Sequence, residues 1–176
     1  MSDPPAVVQI RRILAHEGMR LREIRLRALA EAPTAFGSTL AETEQRPDAV
    51  WSKRASGAAA GNIDALFVAE DGGRWLGLAG GVVDEETPPG EVELASMWVD
   101  PAVRGRGLGQ QLIEAVVAWA RAGGAGQLRL WVTVGNAPAI ALYERHGFAF
   151  SGDTAPHPSN PALREALMLR PLPPEA

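Results

Sequence analysis

Two periodicities of hydrophobic residues alternate along the chain, and each change of period marks a boundary between predicted elements. Apolar residues spaced three or four positions apart predict amphipathic helices over residues 17–33, 108–122 and 136–147. Short apolar runs bounded by turn residues predict strands over residues 6–14, 64–71, 74–86, 91–99, 127–134, 148–153 and 163–171. Residues 34–55 predict a loop with one or two short helices, and the Ala- and Gly-rich stretch 56–61 predicts a loose connection.

The connections between these runs predict how the strands pair. Asp71-Gly72-Gly73 joins two apolar runs and is a strong hairpin signal. A second turn, "TPPG", leads into residues 91–99, so three consecutive antiparallel strands are expected. The element order strand-helix-helix-strand-strand-strand-helix-strand-helix-strand-strand predicts one α/β (α+β) domain over residues 1–176, with helices packed against a mixed sheet. Residues 1–5 and 171–176 are expected to be loose tails, and a polar loop is expected between the last two strands.

Composition and charge exclude several classes of function. The 176 residues are 46% hydrophobic and 22% charged, with a net charge of −4, which disfavours broad nucleic-acid binding. Five arginines between Arg11 and Arg25 are therefore interpreted as a solvated helix face. The absence of cysteine excludes disulfides and thiolate chemistry, and the three histidines have no metal-ligand spacing. Neither a signal peptide nor a membrane span is predicted, so the expected location is the cytoplasm, with no membrane partner.

A glycine-rich turn, "VRGRGLGQQL", separates the strand at 91–99 from the helix that follows. Glycine weakens the first turn of a helix, so its presence there needs a reason. A helix start presents unpaired N–H groups, and glycines allow a phosphate to approach them. The spacing fits neither a P-loop nor the dinucleotide fingerprint, and the pattern that remains is R-x-x-G-x-G at Arg104, Gly107 and Gly109.

The segment "VDPAVRGRGLGQQLIEAVVAWA" resembles the acyl-CoA-binding segment of the GNAT superfamily of N-acetyltransferases, and "VTVGNAPAIALYERHGFAF" is similar to that family's second signature. The resemblance implies a mostly antiparallel sheet of about seven strands with about four helices, splayed between the fourth and fifth strands. It implies acetyl-CoA as co-substrate and no metal. The residues that it implies for acetyl-CoA binding are Met97, Trp98, Val99, Arg104, Gly105, Arg106, Gly107, Leu108, Gly109, Asn136 and Tyr143.

Within that set, different parts of acetyl-CoA are assigned to different groups. The pyrophosphate is expected on the N–H groups of residues 105–109, and the pantetheine arm on the backbone of Met97 and Val99. A backbone N–H near Met97 or Trp98 is expected to polarise the thioester carbonyl. Asn136 opens its helix as an N-cap and is also expected to meet the co-substrate.

Acetyl transfer to an amine also needs a base and an acid. Strand alternation places Glu91, Glu93, Ala95, Met97 and Val99 on one face, and the resemblance makes Glu93 the base. Glu91 is the competitor, and a solvated strand-end carboxylate is the structural alternative for either. Tyr143, the only tyrosine, is the candidate acid, with a core aromatic as its alternative. His146, in the last helical turn, is expected to cap or to face solvent.

The acceptor side is expected from residues 26–52, 84–90 and 151–163, with Phe36, Ser38 and Glu91 as candidate substrate contacts. The acidic turn 84–86 favours a cationic amine. The sequence therefore predicts an N-acetyltransferase that acts on a primary amine of a small molecule or a peptide or protein terminus, by direct attack in a ternary complex. The alternative is a catalytically silent acyl-CoA-binding module. The family resemblance is compatible with a homodimer.

Overall fold

A computed structural model of the protein describes residues 7–174. The chain forms twelve helices and strands in the described range, besides a short 3₁₀ turn at Pro101–Val103. The helices are α1 (Gly18–Glu31), α2 (Leu40–Glu44), α3 (Asp48–Ala60), α4 (Leu108–Ala122) and α5 (Ala137–Arg145). The strands are β1 (Gln9–Arg12), β2 (Asp64–Asp71), β3 (Arg74–Val82), β4 (Glu91–Val99), β5 (Gln127–Thr133), β6 (Ala149–His157) and β7 (Asn160–Pro171). None of the helices in residues 7–174 is long and apolar enough to cross a membrane.

All seven strands join one sheet in the order β1-β2-β3-β4-β5-β7-β6. Every neighbouring pair is antiparallel except β4 and β5, which run parallel. The predicted mixed, mostly antiparallel sheet of seven strands is therefore confirmed, with five helices in place of about four. The hairpin predicted at Asp71-Gly72-Gly73 is present between β2 and β3.

The parallel pair opens along most of its length. β4 pairs with β5 only from Glu91 to Glu93, whereas β5 pairs with β7 over all of Gln127–Thr133. Residues 94–99 of β4 therefore present an edge that β5 does not cover. The expected splay between the fourth and fifth strands is present in this structure.

Two apolar layers pack on opposite faces of the sheet. On one face, α4 buries Leu112, Ile113 and Val116 against the strands. On the other, α1 and α3 bury a layer that includes Ile24 and Trp51. Each buried side chain of this size stabilises the fold by about 1.5–3 kcal/mol. The sheet thus separates two apolar layers, and it is interrupted where β4 and β5 stop pairing after Glu93.

A β-bulge in β4 reverses the predicted alternation of its side chains. Pairing with β3 shifts register between Ala95 and Trp98, and Ser96 adopts φ 58°, the left-handed region. Val92 and Leu94 pack on the α4 layer before the bulge, and Met97 does so after it. The extra residue therefore changes the parity of the strand at Ser96.

The prediction that alternate residues of β4 from Glu91 to Val99 share one face of the sheet is therefore wrong. Glu91, Glu93 and Ala95 lie on the α1/α3 face, whereas Met97 and Val99 lie on the α4 face. Trp98, between the last two, packs into the α1/α3 layer. No glycine marks the bulge position, so strand periodicity alone continues the wrong parity.

Other predicted boundaries also move. The segment 56–61, expected to be a loose connection, is the end of α3, which closes at Gly61 with φ 72°. The polar loop expected between the last strands is mostly β6 and β7, which looked like a loop because β6 is an exposed edge strand. Pro171 ends β7 and Leu172 is buried, with its N–H bonded to Gly126 O, so these two residues are not a loose tail. Residues 1–5 and 175–176 lie outside the described range.

Candidate active site

A cleft of about 920 Å³ lies where the open edge of β4 meets the start of α4 and one side of α5. It gathers ten of the eleven residues predicted to bind acetyl-CoA, namely Met97, Trp98, Val99, Arg104, Gly105, Gly107, Leu108, Gly109, Asn136 and Tyr143. Arg106 is exposed and does not line it. Four other predicted site residues are also absent from the lining of the cleft, namely Glu91, Glu93, Phe36 and Ser38. Sequence-distant elements thus meet at one concave surface along the open edge of β4, which also includes Glu31, Ala32 and Ala35 from the end of α1 and the loop after it.

The first turn of α4 presents bare backbone to this cleft. Gly107 is its N-cap with φ 81°, and no side chain caps the helix. The first helical hydrogen bond runs from Gln111 N to Gly107 O, so the N–H groups of the preceding turn have no partner within the helix. No acidic side chain lies in this turn. Such a helix start is suited to an anion.

Gly105 and Gly107 adopt backbone angles that favour glycine, and they leave open space beside the backbone. Both have positive φ, 79° and 81°, and a Cβ built on either would meet no atom within 4 Å. Gly109 has close neighbours instead, because its Cβ would lie 3.3 Å from Met97 Cε and 3.5 Å from Leu142 Cδ2. The first two glycines therefore keep the cleft open, and the third lets α4 approach β4 and α5.

Arg104 is engaged within the protein. Its Nη2 lies 2.7 Å from Glu31 Oε2, and its Nε donates to Val99 O at 2.9 Å. The Arg104 guanidinium, ahead of the Trp98 indole, lowers the pKa of Glu31. The side chain of Arg104 is still 48% exposed at the rim. Its visible role is to connect α1, β4 and the start of α4.

The open edge of β4 carries backbone groups directed toward the cleft. Asp100 N bonds to Leu76 O of β3, so the alternate residue Val99 directs its backbone the other way. The bond from Arg104 Nε to Val99 O confirms that direction. Met97 and Val99 both line the cleft. An extended ligand can therefore add to this edge as a further strand would.

Tyr143 and Asn136 reach the cleft from α5. Tyr143 is 9% exposed, and its ring meets Phe148 edge to face at 5.8 Å between centroids. Burial raises the pKa of Tyr143 to about 12, so the phenol keeps its proton at neutral pH. Asn136 Oδ1 accepts from Ala139 N at 3.4 Å, so its predicted N-cap is present. His146 is the C-cap of α5, one of the two expected positions, and it is half-buried and lines the cleft.

The two candidate bases differ in their surroundings. Glu91 is bonded to Gln127 Nε2 at 2.8 Å and to Arg129 Nη1 at 3.3 Å. Burial raises the pKa of Glu93, and Arg129 only partly offsets this. The charge of Asp84 adds to the rise. Glu93 therefore has a carboxylate of raised pKa at the point where β4 and β5 separate, whereas Glu91 is held by Gln127 and Arg129.

Phe36 and Ser38 lie in the loop between α1 and α2, in which Ala35 reaches the cleft and Phe36 packs into the α1/α3 layer. Thr133 Oγ1 donates to Thr34 O at 2.8 Å, and His157 Nε2 lies 2.9 Å from the same oxygen. These contacts hold the loop across the end of β5 and the β6–β7 turn. Phe36 is 5% exposed beneath the guanidinium of Arg25, 4.2 Å from ring centroid to Cζ.

The sequence analysis missed Arg25, which is 8% exposed rather than part of a solvated face. Its Nη1 donates to Ser96 Oγ at 3.1 Å. Burial, and then the charges of Arg54 and Arg46, lower the pKa of Arg25. A signal was available, because Arg25 stands one turn after Leu21 in the apolar stripe of α1. Among residues 7–174, no cluster of His, Asp and Glu is arranged to hold a metal ion.

A mixed sheet splayed at its one parallel pair, with an uncapped helix start at the opening, defines the class of this protein. The chain belongs to the acetyltransferase (GNAT) family, whose model matches residues 26–148. Its fold is similar to that of yncA from Salmonella typhimurium, solved with its cofactor acetyl-CoA, at a TM-score of 0.77 over 97% of each chain. Their sequence identity is 21%, so this likeness shows the fold.

Two curated relatives match part of the chain. The IAA acetyltransferase of Azospirillum brasilense is 37% identical over 96 residues, which are 54% of this chain and 61% of that protein. The N-alpha-acetyltransferase RimI of Mycobacterium tuberculosis is 40% identical over 80 residues, 46% of this chain and 49% of that protein. The chain thus spans between about half and three fifths of these relatives. The resemblance found in the sequence is confirmed at the level of the family.

Proposed function

We propose that this protein binds acetyl-CoA in the cleft and transfers its acetyl group to a primary amine of a small molecule or a peptide terminus. The observation that carries the proposal is the bare first turn of α4, opened by Gly105 and Gly107, beside the unpaired edge of β4. Unpaired N–H groups suit the pyrophosphate, and a free strand edge suits the amide-containing pantetheine arm.

The bulge at Ser96 supports a direct transfer between two bound substrates. Met97 and Val99 lie on the α4 face with the cleft, whereas Glu93 lies on the α1/α3 face. The co-substrate thus approaches from one face and the amine from the other. They meet where β4 and β5 separate, just after Glu93.

Acetyl-CoA supplies the acetyl group as a thioester, and the side chains of this protein manage two protons. Glu93 accepts the proton that the amine loses, directly or through water, as the amine nitrogen bonds to the acetyl carbon. Its raised pKa suits this role. Tyr143 donates its phenolic proton to the sulfur as the carbon–sulfur bond breaks. The ion pair of Glu91 with Arg129 makes it the weaker candidate for the base.

A thiol-release assay with acetyl-CoA against a panel of amines tests the proposal, together with calorimetric titration of acetyl-CoA. Saturable thiol release that depends on the amine, with acetylated amine identified by mass spectrometry, is the expected result. Binding of acetyl-CoA with no release across all amine classes would instead favour the catalytically silent acyl-CoA-binding module. No binding at all would refute both.

A further inference from the structure

The acceptor side of the sheet contains a buried cation without an anionic partner. Arg25 is 8% exposed and forms no ion pair with any described residue, and its Nε is buried without a hydrogen-bond partner. A buried charge is costly unless it is paired. Phe36 covers one face of the guanidinium, but an aromatic ring only partly replaces a carboxylate.

Other arginines nearby in the described chain increase the positive potential. The charges of Arg54 and Arg46 both act on Arg25, and no carboxylate is among the groups that shift its pKa. Two other arginines of α1 are different, because Arg20 pairs with Glu17 and Arg27 with Asp100. Arg22 forms no ion pair with a described residue, but its Nη2 donates to Glu44 O. The unpaired positive charge of α1 therefore lies in the turn from Arg22 to Arg25, and the charges of Arg54 and Arg46 add to it at Arg25.

Ser96 completes a pair of donors at this point. Its hydroxyl accepts from Arg25 Nη1 at 3.1 Å, so its own proton is available to a second acceptor. The bulge turns Ser96 toward the α1/α3 face, in the part of β4 that β5 leaves open. Ser96 stands three positions after Glu93 on β4, so their Cα atoms are at most about 10 Å apart.

We infer that Arg25 and Ser96 bind a carboxylate of the acceptor, so that the substrate is an amine that also carries a carboxylate, such as an amino acid. The inference rests on the proposed function and names its substrate class. The amine end lies toward Glu93 and the carboxylate toward Arg25. The acidic turn 84–86 adds negative charge at the amine end, because the charges of Asp84 and Glu86 both raise the pKa of Glu93. The same turn already favours a cationic amine from the sequence.

The test compares each acid with its own carboxamide. The panel contains the common α-amino acids, β-alanine and 4-aminobutyrate, each with its amide, and kcat/KM is measured by thiol release. Because a carboxamide lowers the pKa of the neighbouring amine, intrinsic reactivity favours the amide. We expect the best acid to exceed its amide by roughly 10²-fold, as for a buried charge-assisted contact. In Arg25→Gln the two should become equal within a few-fold.

Two further variants separate recognition from structure. Arg22→Gln removes an arginine one turn earlier on α1, also with a buried unpartnered Nε, that donates to Glu44 O and not to Ser96. It should keep the preference of the wild type. Ser96→Ala keeps the guanidinium and should reduce the preference by roughly 5- to 10-fold. This variant decides the question if Arg25→Gln does not fold.

Calorimetric titration of the same compounds into the protein saturated with coenzyme A distinguishes the carboxylate site from the proposed acetyl transfer. Acids that bind through Arg25 without thiol release would support the carboxylate site and reject the proposed transfer. Turnover of amines without any preference for a carboxylate would keep the transfer and overturn the carboxylate site. A preference that survives in Arg25→Gln, or no binding of any acid, would overturn it as well.

Discussion

Replacing Gly107 with alanine isolates the contribution of the bare helix start to co-substrate binding. A Cβ at this position meets no protein atom within 4 Å, so the substitution causes no clash in the unliganded chain. The residue must still adopt φ 81°, which costs an alanine roughly 1–2 kcal/mol. For a chain of this size, that loss lowers the Tm by about 2–8 °C.

The effect on binding is separate from the effect on stability. The new methyl group stands among the N–H groups that would hold a pyrophosphate. Losing one hydrogen bond to a charged group costs roughly 1.5–3 kcal/mol. We therefore expect the Kd for coenzyme A to rise about 10- to 100-fold. Pantetheine, which has no phosphate, should bind the variant and the wild type equally.

Gly124→Ala is the matched control, at the other end of the same helix. Gly124 has φ 83°, its Cβ would also meet nothing within 4 Å, and it does not line the cleft. It should lose as much stability as Gly107→Ala and keep the affinity of the wild type for coenzyme A. Calorimetric titration of both variants decides the outcome. Equal affinity of the two for coenzyme A would refute the phosphate site at α4.

Three further substitutions test the proposed chemistry and the fold. Glu93→Gln should lower turnover mainly at moderate pH, and turnover should recover as the pH approaches the pKa of the acceptor amine, with acetyl-CoA affinity unchanged. A pH–rate profile that shows this pattern for Glu91→Gln and not for Glu93→Gln would reassign the base to Glu91. Tyr143→Phe should lower kcat by roughly 10²-fold and acetyl-CoA affinity only a few-fold, and the loss should shrink with a thioester of a more acidic thiol; an unchanged kcat would exclude the acid role. Glu17→Gln breaks a buried ion pair with Arg11 at 2.7 Å and should cost about 3 kcal/mol at pH 7. Hydrogen bonds from Arg11 lower the folded-state pKa of Glu17 from 4.5 to about 2, so this stabilisation is present above pH 4.5 and lost as the pH falls toward 2. Denaturant unfolding of both proteins should therefore converge in acid, and a gap that is constant with pH would contradict the assignment.

The co-substrate half of the site was readable from the sequence because its signals are local. The glycines before α4, and Asn136 at the start of α5, act within a few residues of their own positions. Backbone conformation and capping are decided over that range. Ten of the eleven predicted residues consequently line one cleft. What these residues bind remains a prediction.

The rest of the site depends on contacts between distant parts of the chain. Arg104 was assigned to the phosphate by its motif, but it pairs with Glu31, 73 residues away. Arg25 contacts Ser96 across 71 residues. No periodicity specifies such pairs, since each is decided by how α1 docks on the sheet. The bulge that moves Glu93 to the other face from Met97 is likewise a property of the β3–β4 pairing.

Local sequence signals and contacts between distant parts of the chain determine different faces of the sheet. The α4 face takes its cleft mainly from one continuous stretch, from Met97 to His146, so its geometry is encoded where the motif is encoded. The α1/α3 face takes its walls from α1, the loop at Phe36 and the β6–β7 turn at His157, which meet only in the folded chain. Changes in that second group can alter the acceptor while the first turn of α4 stays intact. We therefore infer that the buried charge of Arg25 helps to specify the acceptor, because the motif that identifies the family does not reach that face.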